Sequence, residues 1–265
     1  MSTVSLRASA ARFRLGLLPT FRRAVVDQLR LHASSPMAVF STLAMPCVFA
    51  FLVHRMAVAA GGAEEATSDL AVGSAGIGML DSIIVLVVFS MMGEKRWKTL
   101  YAALGSPGGM VPVVLGRLTG IAVQSLTALP GTFVVLALLW GVHDTFAWGR
   151  WLAGGLVLAL STSAVVGLLG FCVLRYPYSA GMTNGLTGLV MALSALVVPQ
   201  SALPAPARAV AELLPQSHAM AWVRGGDHVE LVYALGLTAA FTVLVVLSVR
   251  RVEHLARRQA LPLEF

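Results

Sequence analysis

The feature that most constrains this chain is its series of long apolar runs. A helix needs about 20 mostly apolar residues to cross a bilayer, and windows of that size fit at six places: Pro36 to Val58, Leu70 to Met92, Val111 to Val142, Trp151 to Leu174, Tyr178 to Val198 and Val229 to Val249. Backbone amides in hydrocarbon must bond within the segment itself, so such windows read as helices. Composition agrees: 57% of the 265 residues are hydrophobic and 12% charged, against about a quarter charged in soluble domains. The mean hydropathy is +0.82. The expected fold is all-α, a polytopic integral membrane protein with six transmembrane helices in one domain. It divides into a surface helix over 12–34, a bundle over 36–249 and a tail over 250–265. The third window is too long for one straight crossing and holds Pro112 and Pro130, which predicts a kink or a later start.

In a soluble domain a net charge of +7 and a pI of 10.2 would suggest nucleic acid as a partner, but here basic residues first report topology. Of the nineteen Lys and Arg, fourteen fall on one side: six from Arg7 to Arg30, then Lys95, Arg96, Lys98, Arg175, Arg250, Arg251, Arg257 and Arg258. Arg55, Arg150, Arg208 and Arg224 fall on the other, and Arg117 lies within a span. This asymmetry predicts a multi-pass protein of the plasma membrane, the inner membrane of the cell, with both termini cytoplasmic. Before the first window no apolar stretch is long enough for a secretion signal, so the N-terminus is expected to stay attached. After Pro19 and a Thr20 cap, Phe21, Val25 and Leu29 share one helical face, with Arg22, Arg23, Asp27, Gln28 and Arg30 elsewhere. That pattern predicts an amphipathic helix along the membrane surface, ended by Ser34-Ser35-Pro36. Between the last two windows Pro199, Pro204, Pro206 and Pro215 cut the chain into short pieces, one of them a helix over Ala207 to Leu214. Cys47 and Cys172 read as small packing residues.

The stretch GEKRWKTLYAALGSPGG, from Gly93, interrupts this hydrocarbon. Trp97, Leu100, Tyr101 and Leu104 fall at i, i+3, i+4 and i+7 of a helix, with Glu94, Lys95 and Lys98 off that stripe. Gly105-Ser106-Pro107-Gly108-Gly109 stops the helix and turns the chain back. An interfacial anchor and a docking helix for a cytoplasmic partner select for the same stripe, so both readings stand. Inside the membrane, Asp81 costs about 2.5 to 3.5 kcal/mol where it sits. It would contact a polar or cationic substrate on a translocation path, form an intramembrane ion pair with Arg117, or be protonated or close to water. Gln124 and Asn184 are further path candidates. They belong to polar groups (Ser125, Thr127, Ser161 to Ser163, Thr183, Thr187) for which interhelical hydrogen bonding is the simpler role, with Gly154, Gly155, Gly181, Gly185 and Gly188 allowing close packing. All six histidines lie at span ends or in loops, with no catalytic pairing and no metal-ligand spacing, so an enzyme is not expected. The chain holds just two lysines, Lys95 and Lys98, neither in a phosphate-binding loop.

Glu94, Lys95, Arg96, Thr99, Leu100, Leu104 and Pro107, followed by Leu115-Gly116-Arg117, resemble the first cytoplasmic loop of type-2 ATP-binding-cassette (ABC) exporter permeases, such as the drug and antibiotic efflux permeases of the daunorubicin-resistance type. Leu203-Pro204, Leu214-Pro215 and Arg224 match a second region of that family, while Lys98 and Tyr101 replace its usual Gly and Glu. The resemblance implies that Glu94 to Gly105 is a coupling helix whose Glu94, Arg96, Trp97, Lys98, Leu100, Tyr101 and Leu104 meet a separate ABC ATPase, and that the N-terminal helix is the elbow beside it. It also implies a non-catalytic subunit without cofactor, with ATP and Mg held by the ATPase. A second permease copy or a paralogue would complete the pathway in the lipid membrane. The cargo would be hydrophobic or amphipathic (a drug, antibiotic or lipid) and no nucleic acid is involved. A secondary transporter or channel-type six-span carrier, independent of ATP, is the alternative.

Overall fold

The computed structural model describes residues 3–61, 65–96, 103–106, 108–175, 180–196 and 198–257. Its elements are α1 (Thr3–Ala33), α2 (Pro36–Ala59), α3 (Ser68–Arg96), α4 (Met110–Ser125), α5 (Ala128–Trp140), α6 (Trp148–Arg175), α7 (Ala180–Leu193), a short 3-10 turn (Gln200–Ala202), α8 (Ala205–Ala211), α9 (Pro215–Val223) and α10 (His228–Arg257). Among the described residues there is no strand, only an isolated bridge between Ala66 and Val142.

Among the described residues, five helical runs are long and apolar enough to cross a membrane: α2, Ser68–Ser90 of α3, Met110–Trp140 (α4 with α5), Trp148–Gly170 of α6, and α10. Among the described residues, the window expected as the fifth span forms the 14-residue α7, about 21 Å at 1.5 Å per residue and short of the ~30 Å hydrocarbon core. The helix ends as Ala195 takes φ 52°, a left-handed conformation in which an α-helix cannot continue. The chain nonetheless travels the length of the bundle here. Gly167 of α6 lies against Leu118 and Val245, eight residues before the helix ends at Arg175, whereas Leu196 packs beside Gly73 and Gly76 on the first turns of α3.

The expected break in the third window falls at Leu126–Thr127, between α4 and α5. Pro130 has no N–H for the Leu126 carbonyl, which instead accepts from Leu129 N at 3.0 Å, one residue early. Pro112 causes no kink because it sits in the first turn of α4, where N–H groups lack intrahelical acceptors anyway. Near the last span, Pro215 opens α9 instead of closing a helix, its fixed φ being suited to a first helical position. The expected Ala207–Leu214 helix is accordingly the shorter Ala205–Ala211.

α3 is the hub, touched by α2, α4, α5, α6, α7 and α9. In its apolar window 83% of residues are buried, against 17% for α10, so α3 supplies the core and α10 faces outward. Glycines set the tightest crossings. A Cβ on Gly78 would stand 2.5 Å from the Pro46 ring of α2, and one on Gly155 would collide with Leu129. The bundle has two distinct ends. At one, Arg224 donates to the carbonyls of Ala195 (2.8 Å) and Leu196 (3.0 Å), tying α9 to the exit of α7. Phe133, Phe146, Trp148 and Trp151 cluster at this end and Trp140 stacks on His54 at 3.8 Å, as aromatic rings gather at a membrane interface. At the other end the turn through Gly109 is bracketed by α1 and the last turns of α10.

α1 starts at Thr3 and runs through Pro19, so Thr20 caps nothing. It lies lengthwise along α4 and in the same direction: Leu17 is beside Gly108, Phe21 and Ala24 beside Gly116, Val25 and Gln28 beside Gly120. The amphipathic pattern is compatible with a bilayer surface, but the Gly116-x-x-x-Gly120 pair opens a groove in α4 that brings the two backbones together. The packing also continues past the proline, so the helix need not end there.

Candidate coupling and pathway sites

The turn at the Gly109 end is built from its own backbone. Gly109 N donates to the Ser106 carbonyl at 3.0 Å, Ser106 N to the Ala103 carbonyl at 3.2 Å, and Ser106 Oγ to the Gly109 carbonyl at 2.8 Å. Gly109 takes φ 74° and ψ −168°, a region closed to other residues in practice. A side chain there would also meet the Glu253 carboxylate at 2.9 Å.

Gly109 offers no side chain to cap α4, and Glu253 of α10 does so instead. Met110 N donates to Glu253 Oε2 at 3.4 Å, placing a carboxylate at the positive end of the α4 dipole. Arg257, one turn further on, donates to Glu253 Oε1 through Nη2 (2.7 Å) and Nε (3.2 Å), and to the Leu104 carbonyl through Nη2 (3.2 Å). The exit of the basic loop is thereby latched to the last spanning helix. Neither residue was singled out from the sequence. Their i, i+4 spacing announces a pair on a helix, but nothing local reveals that its object lies 143 residues upstream.

Of the residues expected to meet an ATPase, Glu94 and Arg96 fall on the final turn of α3. Their side chains, and all of Trp97, Lys98, Leu100 and Tyr101, lie outside the described residues. Leu104 is half-buried and packs against the main core, adjoining Ala103. That accounts for one member of the stripe by packing within the chain.

The pathway candidates are not brought together. Asp81 is half-buried near the middle of α3, and among the described residues nothing forms an ion pair or hydrogen bond with its carboxylate. Arg117 Nη1 instead donates to Ser90 Oγ at 3.2 Å. Ser90 lies nine residues beyond Asp81, about 13 Å along the helix axis, so the guanidinium is level with the end of the span, and the expected Asp81–Arg117 pair is not formed. Gln124 is 4% exposed at the last turn of α4, and neither end of its amide has a hydrogen-bond partner among the described residues. Close by, Thr127 Oγ1 donates to the Gln124 and Thr42 carbonyls, and the Thr42 hydroxyl meets His32 Nε2 at 3.2 Å. Burial holds the His32 imidazole below its ordinary pKa. Asn184 is exposed on α7. Gly154 and Gly155 face Val223 and Leu129 closely, as expected, whereas Gly181, Gly185 and Gly188 have open space where a Cβ would be. Among the described residues, the expected helix contact at those three glycines is therefore absent. The polar residues divide. Ser163 donates across to the Leu118 carbonyl at 2.9 Å and Ser82 to Ser41 at 2.8 Å, while Ser125 and Ser161 turn back onto their own helices.

The Arg224 end holds the other residues matched to the second region. Burial works against the charge of Arg224 and the nearby Asp69 carboxylate works for it. Across from it, His218 Nδ1 lies 2.7 Å from Glu230 of α10, and its Nε2 lies 2.9 Å from the Glu212 carbonyl. No family model matches the chain, and no curated protein does.

Proposed function

We propose that this chain is the membrane subunit of an ATP-driven exporter, a type-2 ABC permease. It would sit in the plasma membrane with both termini cytoplasmic, and dimerise with itself or a paralogue. A separate ATPase would supply the energy to move a hydrophobic or amphipathic cargo outward. The observation that carries the reading is the Gly109 turn. The short basic loop after α3 returns to the bundle through a backbone-closed turn that touches α1, α4 and α10 together, so force applied to the loop reaches three helices at once. A loop serving only as a headgroup anchor has no need of such a latch. The open glycine face of α7, with Asn184 among Gly181, Gly185 and Gly188, suits the close approach of a second copy. Asp81, without an ion pair or hydrogen bond among the described residues of its apolar helix, suits a pathway that takes up a polar or cationic group.

The test is a Trp97→Ala/Leu100→Ala double variant, which spares the core-packed Leu104. Pull-down with a candidate ABC ATPase co-expressed with this chain should lose association while membrane insertion is unchanged. Intact association and intact export in that variant would overturn the reading. Export by the purified chain on an ion gradient, with no ATPase present, would establish the carrier alternative.

A further inference from the structure

A cleft of about 1010 Å³ runs between α1 and α4 at the Gly109 end. Four guanidinium groups line it, Arg22, Arg23 and Arg30 from α1 and Arg117 from α4, against the single carboxylate of Asp27. The three α1 arginines are exposed, and among the described residues no carboxylate forms an ion pair with any of them. Like charges gathered in one cleft repel unless an anion joins them, and guanidinium groups suit phosphate oxygens by geometry.

Two further observations narrow the anion. Leu18, 72% exposed, and Val26 line the same cleft, so a ligand there meets apolar surface beside the arginines. The depth is also that of headgroups: Arg117 reaches Ser90, four residues before Glu94, the first charge after the apolar window of α3. We propose that this cleft binds the phosphodiester headgroup of an anionic glycerophospholipid, with Arg22, Arg23 and Arg30 holding the phosphate and Leu18 and Val26 meeting the start of the acyl chains. The lipid then fills the outer side of the α1–α4 seam, opposite the Gly116 and Gly120 contact. Basic clefts between helices at a membrane face recognise anionic lipids in this way. The assignment needs a bilayer but no ATPase, so it stands or falls apart from the exporter reading.

The experiment titrates the purified full chain, in neutral detergent, with short-chain phosphatidylglycerol, short-chain phosphatidylcholine, glycerophosphoglycerol lacking acyl chains, and inorganic phosphate, following binding by native mass spectrometry. Phosphatidylglycerol should bind best. Arg22→Gln, Arg23→Gln and Arg30→Gln should each weaken it about fivefold, and the triple variant about a hundredfold. The triple lysine variant keeps the charge and the topology signal and should retain most of the affinity. If the triple glutamine variant fails to insert, the three single steps carry the test. Equal binding of phosphatidylcholine, or glutamine variants that bind like the parent, would overturn the proposal. Inorganic phosphate or glycerophosphoglycerol matching the lipid would show a site for a soluble anion and would overturn it too.

Discussion

Glu253 supplies a prediction whose size follows from the geometry. Replacing it with Ala removes two contributions. The first is the pair with Arg257, which is 57% exposed and on a single helix, and such i, i+4 pairs contribute about 0.3 to 0.5 kcal/mol. The second is the carboxylate at the start of α4, where a negative group contributes about 0.3 to 1 kcal/mol. The sum, about 1 kcal/mol, corresponds to a five- to tenfold increase in the open population of the turn. Hydrogen exchange of the full chain in detergent, read on peptides covering Leu104 to Val113, should therefore accelerate by that factor while peptides of α3 stay unchanged. Arg257→Gln should produce a smaller change, because the carboxylate remains at the α4 start. The Glu253→Ala/Arg257→Gln double variant should be less than additive, since both single changes break the same pair. Added salt should shrink the Arg257 share first, that side chain being the exposed partner. Unchanged exchange at Met110 in Glu253→Ala would refute the cap, whatever happened elsewhere.

Three more expectations come from the packing. Gly78→Val should cost about 2 kcal/mol of thermal stability by overpacking, since its Cβ meets the rigid Pro46 ring at 2.5 Å. Gly236→Ala, with nothing within 4 Å, should be neutral or stabilise by up to about 1 kcal/mol through helix propensity; detergent melts of the two variants compare them directly. Arg224→Ala should cost about 3 kcal/mol by leaving the Ala195 and Leu196 carbonyls without their charged donor, and Arg224→Lys should recover less than half because an ammonium cannot fork to both. Burial favours neutral His32, so protons bind the undocked state better: the contact of α1 with Thr42 is at full strength above about pH 6.5 and weakens as pH falls below it. Limited proteolysis of α1 across that range should show a step that His32→Gln removes.

Most of the bundle was legible from the run of apolar windows, because hydropathy reports burial in lipid without any knowledge of partners. α2, α3, α6 and α10 start or end within a few residues of their windows for that reason. The failures lie where a second element decides. α7 stops short at its C-terminal end, where Ala195 turns left-handed inside a run that hydropathy reads as uninterrupted, so the break has no signature in the apolar pattern. Pro19 and Pro215 were read as boundaries from local chemistry, yet packing carries α1 through the first and the second begins a helix. At the candidate site, the Gly105 to Gly109 stop was visible because turn chemistry is local. The carboxylate that closes it comes from the far end of the chain and was not.

α10 is the least buried of the five runs long and apolar enough to span, and among the described residues its side chains make contacts at both ends of the bundle. It meets the Gly109 turn through Glu253 and Arg257, and it meets α9 through Glu230 and His218. A helix with few buried neighbours forfeits little apolar contact when it shifts, whereas displacing α3 would break its interfaces with six other helices. Under the exporter reading, force delivered to the basic loop is therefore transmitted along α10 against a stationary α3. It emerges at His218 and α9, beside the Arg224 clamp that holds the exit of α7. The polar contacts at both ends of α10 are partly exposed and individually weak, so they can break and reform, while the Gly78–Pro46 and Gly155–Leu129 crossings that fix the core cannot yield without a larger cost.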